Sequence, residues 1–382
     1  DPELHLLSVD EASATALGIV PGALTSTILS QVLLGETPDG TTGDTAVGLL
    51  HRLRTATEPA DVEPLLPRLA TLWQLLVPSA DRERIEAGEF GRLIIVPDGP
   101  LALLPFETLV VSADDDPVYV LDAAPPIQYG PSATVLLNLA ERATAANRPE
   151  SARVLTVGNP AYGAVQSADE LATASRYGRL GGQLSALPFS GIESQWVSEV
   201  FRKQGIGVTA LTGRQATEAA VVAALTGREI IHLACHGLVD GSFGNQFGAL
   251  ALTTGTAATP HDDGFLTLAE IYRLDLQGCE LTVLSACDTN FGPQQSGEGV
   301  WNLSRGFLVA GSRRVVASNW YVDDRAAASL VSYFTSAVAQ AAGRDQSTDY
   351  AAALHAAKKW VRDQEQWSSP YYWGTFVLVG PN

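Results

Sequence analysis

Methionine is missing altogether from the 382 residues, and cysteine is scarce, with three. So small and odd a number of cysteines excludes a disulfide framework and suits a reducing compartment where thiols stay free, which points to a cytoplasmic protein. The missing initiator Met reads as a processed fragment, so further domains of a longer protein are expected outside this chain. Basic residues are also few, 24 Lys and Arg against 42 Asp and Glu, for a net charge of −18. That balance argues against nucleic acid as a partner and favours a basic ligand or substrate. No apolar run approaches the roughly 20 residues of a membrane span, and the opening "DPELHLLSVDEASATALG" lacks the basic start and apolar block of a signal peptide, so no membrane association is expected. What is present, 46% apolar and 17% charged residues, describes a well-buried globular protein long enough for two domains.

Apolar runs bounded by Gly, Pro and Asn alternate with segments of helical period, the pattern of a mainly parallel sheet covered by helices. The expected strands are 92–97, 153–160, 207–211, 229–236, 280–287, 313–320 and 375–380, each β-branched and apolar on both faces as buried strands are. Helical patterns include "IESQWVSEVFRKQ", "GVWNLSRGFLVAG", "DRAAASLVSYFTSAVAQAA" and "DYAAALHAAKKWVRDQE", and Thr267 and Glu270 have capping-box spacing. The polar stretch 141–152 marks the best internal boundary, dividing a helical and α/β region at 1–150 from a second domain at 151–382, and 158–183 reads as a long loop or insertion.

Familiar signals fail in context. "GIGVTA" at 205–210 spells a dinucleotide-binding glycine pattern but runs into a strand where a helix is needed. There is no phosphate-cradling Gly-Lys-Ser/Thr loop and no Gly-x-Ser-x-Gly elbow. His232 and His236 share a strand, where four residues span about 13 Å, too far for joint ligation, so neither a metal nor any other cofactor is expected.

A pair remains. His236 closes one apolar strand in "IIHLACHG" and Cys287 closes another in "LTVLSACDTN", 51 residues later, so both belong at the C-terminal edge of the sheet. Order and spacing match the pattern of a caspase histidine followed about 50 residues on by its cysteine. Cys235, pointing to the opposite face from His236, and Cys279 read as structural thiols, and His232 as a buried, hydrogen-bonded histidine.

These blocks, with "GEGVWNLSRGFLVAGSRRVVASNWYVDD", "YYWGTFVLVGP" and the looser upstream "GRLIIVPDGPLALLPFETLV", resemble the CHAT family of caspase-like cysteine peptidases, relatives of separase and the caspases. The resemblance covers roughly residues 85–382. It implies a caspase-like three-layer α/β/α fold with a mainly parallel sheet, the N-terminal half being an option for a degenerate copy without a dyad, and a regulatory or fused repeat domain as partner.

The chemistry stands without the family. Cys287 attacks a peptide carbonyl, His236 moves the proton, and the N–H groups of Gly237 and Cys287 are natural oxyanion donors. Relatives often line the pocket for the residue before the cut (P1) from two positions before the nucleophile, here Ser285. Asn319, Trp320 and Tyr321 are expected to wall a groove for an extended protein substrate. Asp288, Glu298 and Asp323, with Asp324 beside it, are the acids expected to receive a basic P1 side chain, although a carboxylate before a helix is also favoured as a cap. A catalytically silent scaffold and a nucleotide- or metabolite-binding protein stay open as alternatives.

Overall fold

The structure, a computed structural model, describes residues 3–36, 47–114, 116–142, 153–162, 184–241, 243–255, 262–295, 299–344 and 346–382. An eight-stranded sheet forms its centre: β1 (Leu93–Ile95), β2 (Ile127–Tyr129), β3 (Val154–Pro160), β4 (Val208–Gly213), β5 (Ile230–Ala234), β6 (Leu281–Ser285), β7 (Val315–Ser318) and β8 (Phe376–Val379). Their order across the sheet is β1-β2-β8-β7-β6-β5-β3-β4. Every pairing is parallel except β7 with β8, so β4, β3, β5, β6 and β7 run one way and β8, β2 and β1 the other. All residues of β5, β6, β7 and β8 are buried, as the largely apolar character of strands covered on both faces requires.

Helices cover both faces, giving a caspase-like α/β/α fold. One layer consists of α3 (Pro188–Lys203), α6 (Asp324–Gly343) and α7 (Tyr350–Arg362); α4 (Glu218–Leu225) and α5 (Leu303–Ala310) lie on the other. Side chains separate the faces: His232 and Ser285 bond to Glu193 on α3, whereas Thr282, of opposite parity, meets Ser312 just beyond α5. The buried stripe of α3 runs Ser190, Glu193, Ser194, Val197, Ser198, Phe201, a three-four spacing that is polar at one end and apolar at the other.

The N-terminal region builds no large sheet of its own among the described residues. It lends β1 and β2 to the common sheet, where β2 pairs with the C-terminal β8, and the boundary stretch falls largely outside the described residues. Two ion pairs fasten it: a buried one, in which Glu107 meets Lys358 of α7 while accepting a 2.5 Å hydrogen bond from the Tyr129 hydroxyl, and a half-buried one, in which Asp122 meets Arg362 at 2.5 Å. Several helices fill out the region, among them α1 (Leu49–Leu53) and α2 (Leu66–Leu76), and Leu49, Leu50 and Leu53 are buried in the core. Among the described residues no helix is long and apolar enough to cross a membrane.

Candidate active site

Strands β5 and β6 are hydrogen-bonded neighbours with Ala234 opposite Ser285. His236 and Cys287 therefore stand two residues beyond the same rung, on the same parity as each other, at the end of the sheet where two parallel strands exit together. After Cys235 the chain enters a small antiparallel sheet, His236–Leu238 with Ala249–Ala251 and Phe265–Thr267. Gly237 makes the exits touch: a Cβ placed on it would lie 2.0 Å from the Cys287 carbonyl oxygen, so no larger residue fits without moving backbone. Asp288, at φ 53, turns the chain into the left-handed region directly after the cysteine, a conformation that Asp tolerates better than most residues.

The backbone N–H groups of Val322 and of Cys287 itself act to favour the Cys287 thiolate. Burial outweighs them and, with the carboxylates of Asp288 and Asp324, pushes the thiol up to about 11. His236 has its ring Nε2 2.8 Å from the Ser185 carbonyl oxygen, which only accepts, so Nε2 carries the hydrogen and Nδ1 is left to exchange a proton. The His236 backbone N–H donates to the Tyr162 hydroxyl at 3.1 Å, and the two rings lie 5.0 Å apart. Tyr162 and Ser185 were not singled out from the sequence. They flank a stretch that reads there as a loop, and only the fold brings them to the histidine.

A second missed element lies beneath the strand ends. Glu193, 1% exposed, accepts from Ser285 Oγ at 3.1 Å and bonds His232 Nε2 at 2.6 Å; His232 Nδ1 is 2.7 Å from Thr156 Oγ1, which donates to Ser194. One carboxylate from α3 thus ties β3, β5 and β6 together immediately below the pair. The signal in the sequence was a carboxylate on the buried period of an amphipathic helix.

The structure redistributes the remaining candidates. Ser285 is buried with its hydroxyl engaged by Glu193. Trp320 does not wall a groove: it is fully buried, its indole N–H donating to the Tyr371 carbonyl. Nor does the Asn319 side chain, which is 1% exposed and bonded to Asn290 and the Leu103 carbonyl. The Trp320 ring is drawn inward by its apolar volume and the Asn319 amide by its hydrogen bonds, leaving Tyr321, 60% exposed, at the mouth, where partial burial, with Cys287, Asp323 and Asp324, raises its hydroxyl. The Asp323 carboxylate caps α6 through the Ala326 N–H at 2.8 Å. Asp324 accepts the Phe189 N–H at 3.0 Å, joining the start of α3 to the start of α6, and its carboxyl is raised chiefly by burial. Asp288 is half-buried and raised by burial, with Arg54 opposing the shift. Glu298 lies outside the described residues. Among the described residues no three His, Cys, Asp or Glu side chains are grouped to hold a metal ion.

An α/β/α sheet carrying a histidine and a cysteine on adjacent strand exits defines a caspase-like protein. The chain belongs to the CHAT domain family, which matches residues 66–381. Among curated proteins it is similar to tetratricopeptide repeat protein 28 of Mus musculus, 26% identical with 82% of this chain covered, and to that of Homo sapiens, 27% identical with the same share covered. The chain spans 13% of the length of each. Among solved structures it is similar to the Arg-specific cysteine proteinase gingipain R, at 9% identity, 81% of this chain and 68% of that one, with a TM-score of 0.50. The separase of a Saccharomyces cerevisiae separase–securin complex covers 99% of this chain and 23% of its own, at 13% identity and a TM-score of 0.47.

Proposed function

We propose that this chain is a cysteine endopeptidase acting through a Cys287–His236 dyad on a protein substrate in the cytoplasm. The observation that carries the reading is the shared rung: two residues past the Ala234–Ser285 pair stand a thiol and an imidazole whose Nε2 is fixed by a carbonyl. Nδ1 of His236 takes the thiol proton as sulfur attacks the peptide carbonyl, then delivers it to the leaving amine; water hydrolyses the thioester with the same nitrogen as base. The Cys287 N–H and the N–H of Gly237, whose Cα lies against the Cys287 backbone, are the oxyanion donors. No third carboxylate and no cofactor enters these steps.

A basic P1 residue is the favoured substrate. Asp324 and Asp288 both raise the Cys287 thiol, and with Asp288 opposed by Arg54, Asp324 is the acid best placed to attract a nearby cation. Tyr321 supplies the exposed wall. The repeat-protein names of the curated relatives support a fused or partner repeat domain that delivers substrate or switches the site.

The test is digestion of a diverse peptide library by the wild type, Cys287→Ala, His236→Ala and Cys235→Ala, with cut sites mapped by mass spectrometry. Cleavage is expected to vanish in the first two variants and persist in the third. Substantial cleavage by Cys287→Ala or His236→Ala sinks the dyad, and faster cutting after Leu or Asp than after Arg and Lys sinks the basic P1.

A further inference from the structure

Arg54 extends from the end of α1, in the N-terminal region, to the loop that follows the nucleophile. Its Nη2 donates to the Asn319 carbonyl at 2.7 Å, and its guanidinium lies over the Phe291 ring at 4.2 Å from the centroid. Its Nε is buried with no acceptor among the described residues. Asp288, one residue past Cys287, feels this cation: each of the two groups is shifted mainly by its own burial, and each opposes the other's shift. No ion pair within 4 Å joins them, but they share one turn: the Phe291 N–H donates to the Asp288 carbonyl at 3.0 Å, and the guanidinium lies on the Phe291 ring. The cation is rigidly mounted, because α1 is anchored by Leu49, Leu50 and Leu53 in the core and the guanidinium is held at the Asn319 carbonyl and on the Phe291 ring. It bridges the two segments that frame the nucleophile, the turn 288–291 and the exit of β7.

We propose that Arg54 is a specificity-determining residue: a built-in counter-ion that neutralises Asp288, so that the Asp288 side of Cys287 takes a neutral or acidic substrate side chain and a basic one is selected on the Asp324 side. The proposal rests on the peptidase reading for its substrate, but the electrostatic assignment does not require cleavage. It also makes the N-terminal region part of the site, since Arg54 of that region is the cation that opposes the Asp288 shift.

The test uses two small thiol reagents of the same size class, 2-aminoethyl methanethiosulfonate, a cation, and 2-sulfonatoethyl methanethiosulfonate, an anion. The Cys287 thiolate attacks the sulfenyl sulfur, a new S–S bond forms, and methanesulfinate leaves with the electron pair. Labelling at Cys287 is followed by mass spectrometry in the full chain, and the ratio of cation to anion rates cancels changes in thiol ionisation. Arg54→Gln is expected to raise that ratio about tenfold, the scale of one unit charge acting with opposite sign on the two reagents across a partly screened gap. Arg54→Lys should leave it near wild type, and Asp288→Asn should lower it. The double variant Arg54→Gln, Asp288→Asn should return it toward wild type. An unchanged ratio in Arg54→Gln, or equal changes in Arg54→Gln and Arg54→Lys, overturns the assignment. Because the readout is labelling, failure of the peptidase reading is seen separately, as absence of peptide cleavage by a wild type whose Cys287 still shows the charge ratio.

Discussion

Replacing Glu193 measures how much the strand ends depend on one buried carboxylate. In Glu193→Ala the Ser285 hydroxyl and the His232 Nε2, both fully or nearly buried, lose their partner. A stranded buried group costs about 1–3 kcal/mol, more where charge is involved, and the vacated side chain adds a cavity term, so a loss of about 4 kcal/mol is expected. Set against a typical total of about 5–15 kcal/mol, that is a large share. Glu193→Gln keeps the volume and one acceptor but turns an NH2 toward one of the two partners, so about 2 kcal/mol is expected, and Ser285→Ala, which removes a donor and leaves a carboxylate still bonded to His232, about 1 kcal/mol. The assay is equilibrium urea unfolding followed by the fluorescence of the seven tryptophans, with the slope checked for constancy across variants. A loss below 1 kcal/mol in Glu193→Ala, or equal losses in the Ala and Gln variants, would refute the claim that the carboxylate acts by satisfying both partners.

Gly237→Ala should cost roughly 3 kcal/mol and slow Cys287 labelling more than tenfold, because the new methyl meets backbone 2.0 Å away; an active, stable variant would show that the exits are not in contact. Labelling of Cys287 by iodoacetamide should rise about tenfold per pH unit above neutrality and level off near pH 11, since burial favours the thiol; a plateau below pH 8 contradicts it. The same sign makes the contribution of Cys287 to stability fully present below its ordinary value and lost as pH rises toward 11. Residues 151–382 expressed alone should not fold stably, because they leave Lys358 buried without Glu107 and expose the β8 edge that β2 covers; a cooperative unfolding transition in that fragment would show two independent domains.

The seven expected strands all occur, most of them shortened at their ends and β4 running two residues further, to Gly213, because each is an apolar run and most are buried on both faces, a composition that is hard to hide. β2 escaped notice: "PPIQYG" is three residues of strand between two prolines and a glycine, with Gln128 in its middle, and its burial comes from β1 and β8 rather than from its own pattern. The reversed direction of β8, β2 and β1 was equally invisible, since periodicity carries no polarity. At the candidate site, His236, Gly237 and Cys287 were legible because they sit at the ends of strands whose registry follows from equal length. Trp320 and Asn319 were misjudged because the apolar-polar alternation that separates a groove wall from a core residue breaks down where a strand leaves the sheet. Arg54, Tyr162, Ser185 and Glu193 reach the site from elements 40 to more than 200 residues away from one or both of the pair, and nothing local marks them.

The state of the thiol bears on how the proposed enzyme would be controlled. With Cys287 raised to about 11, forming the thiolate at pH 7 costs about 5 kcal/mol, near the upper range of what one positioned histidine is expected to offset. Two of the groups that impose this cost are the carboxylates of Asp288 and Asp324, and both are conditional. Arg54 already offsets Asp288 from within the chain. Asp324 is held by the Phe189 N–H and its carboxyl is raised chiefly by burial, so in the proposed enzyme a cationic substrate side chain arriving there removes part of the penalty on the thiolate at the moment of binding. Charge recognition and nucleophile activation then become one event: a substrate lacking the cation meets a protonated, poorly reactive cysteine. The same arrangement explains why a buried thiol with neighbouring acids is compatible with a working dyad, since reactivity toward indiscriminate electrophiles stays low until the correct side chain supplies the missing positive charge.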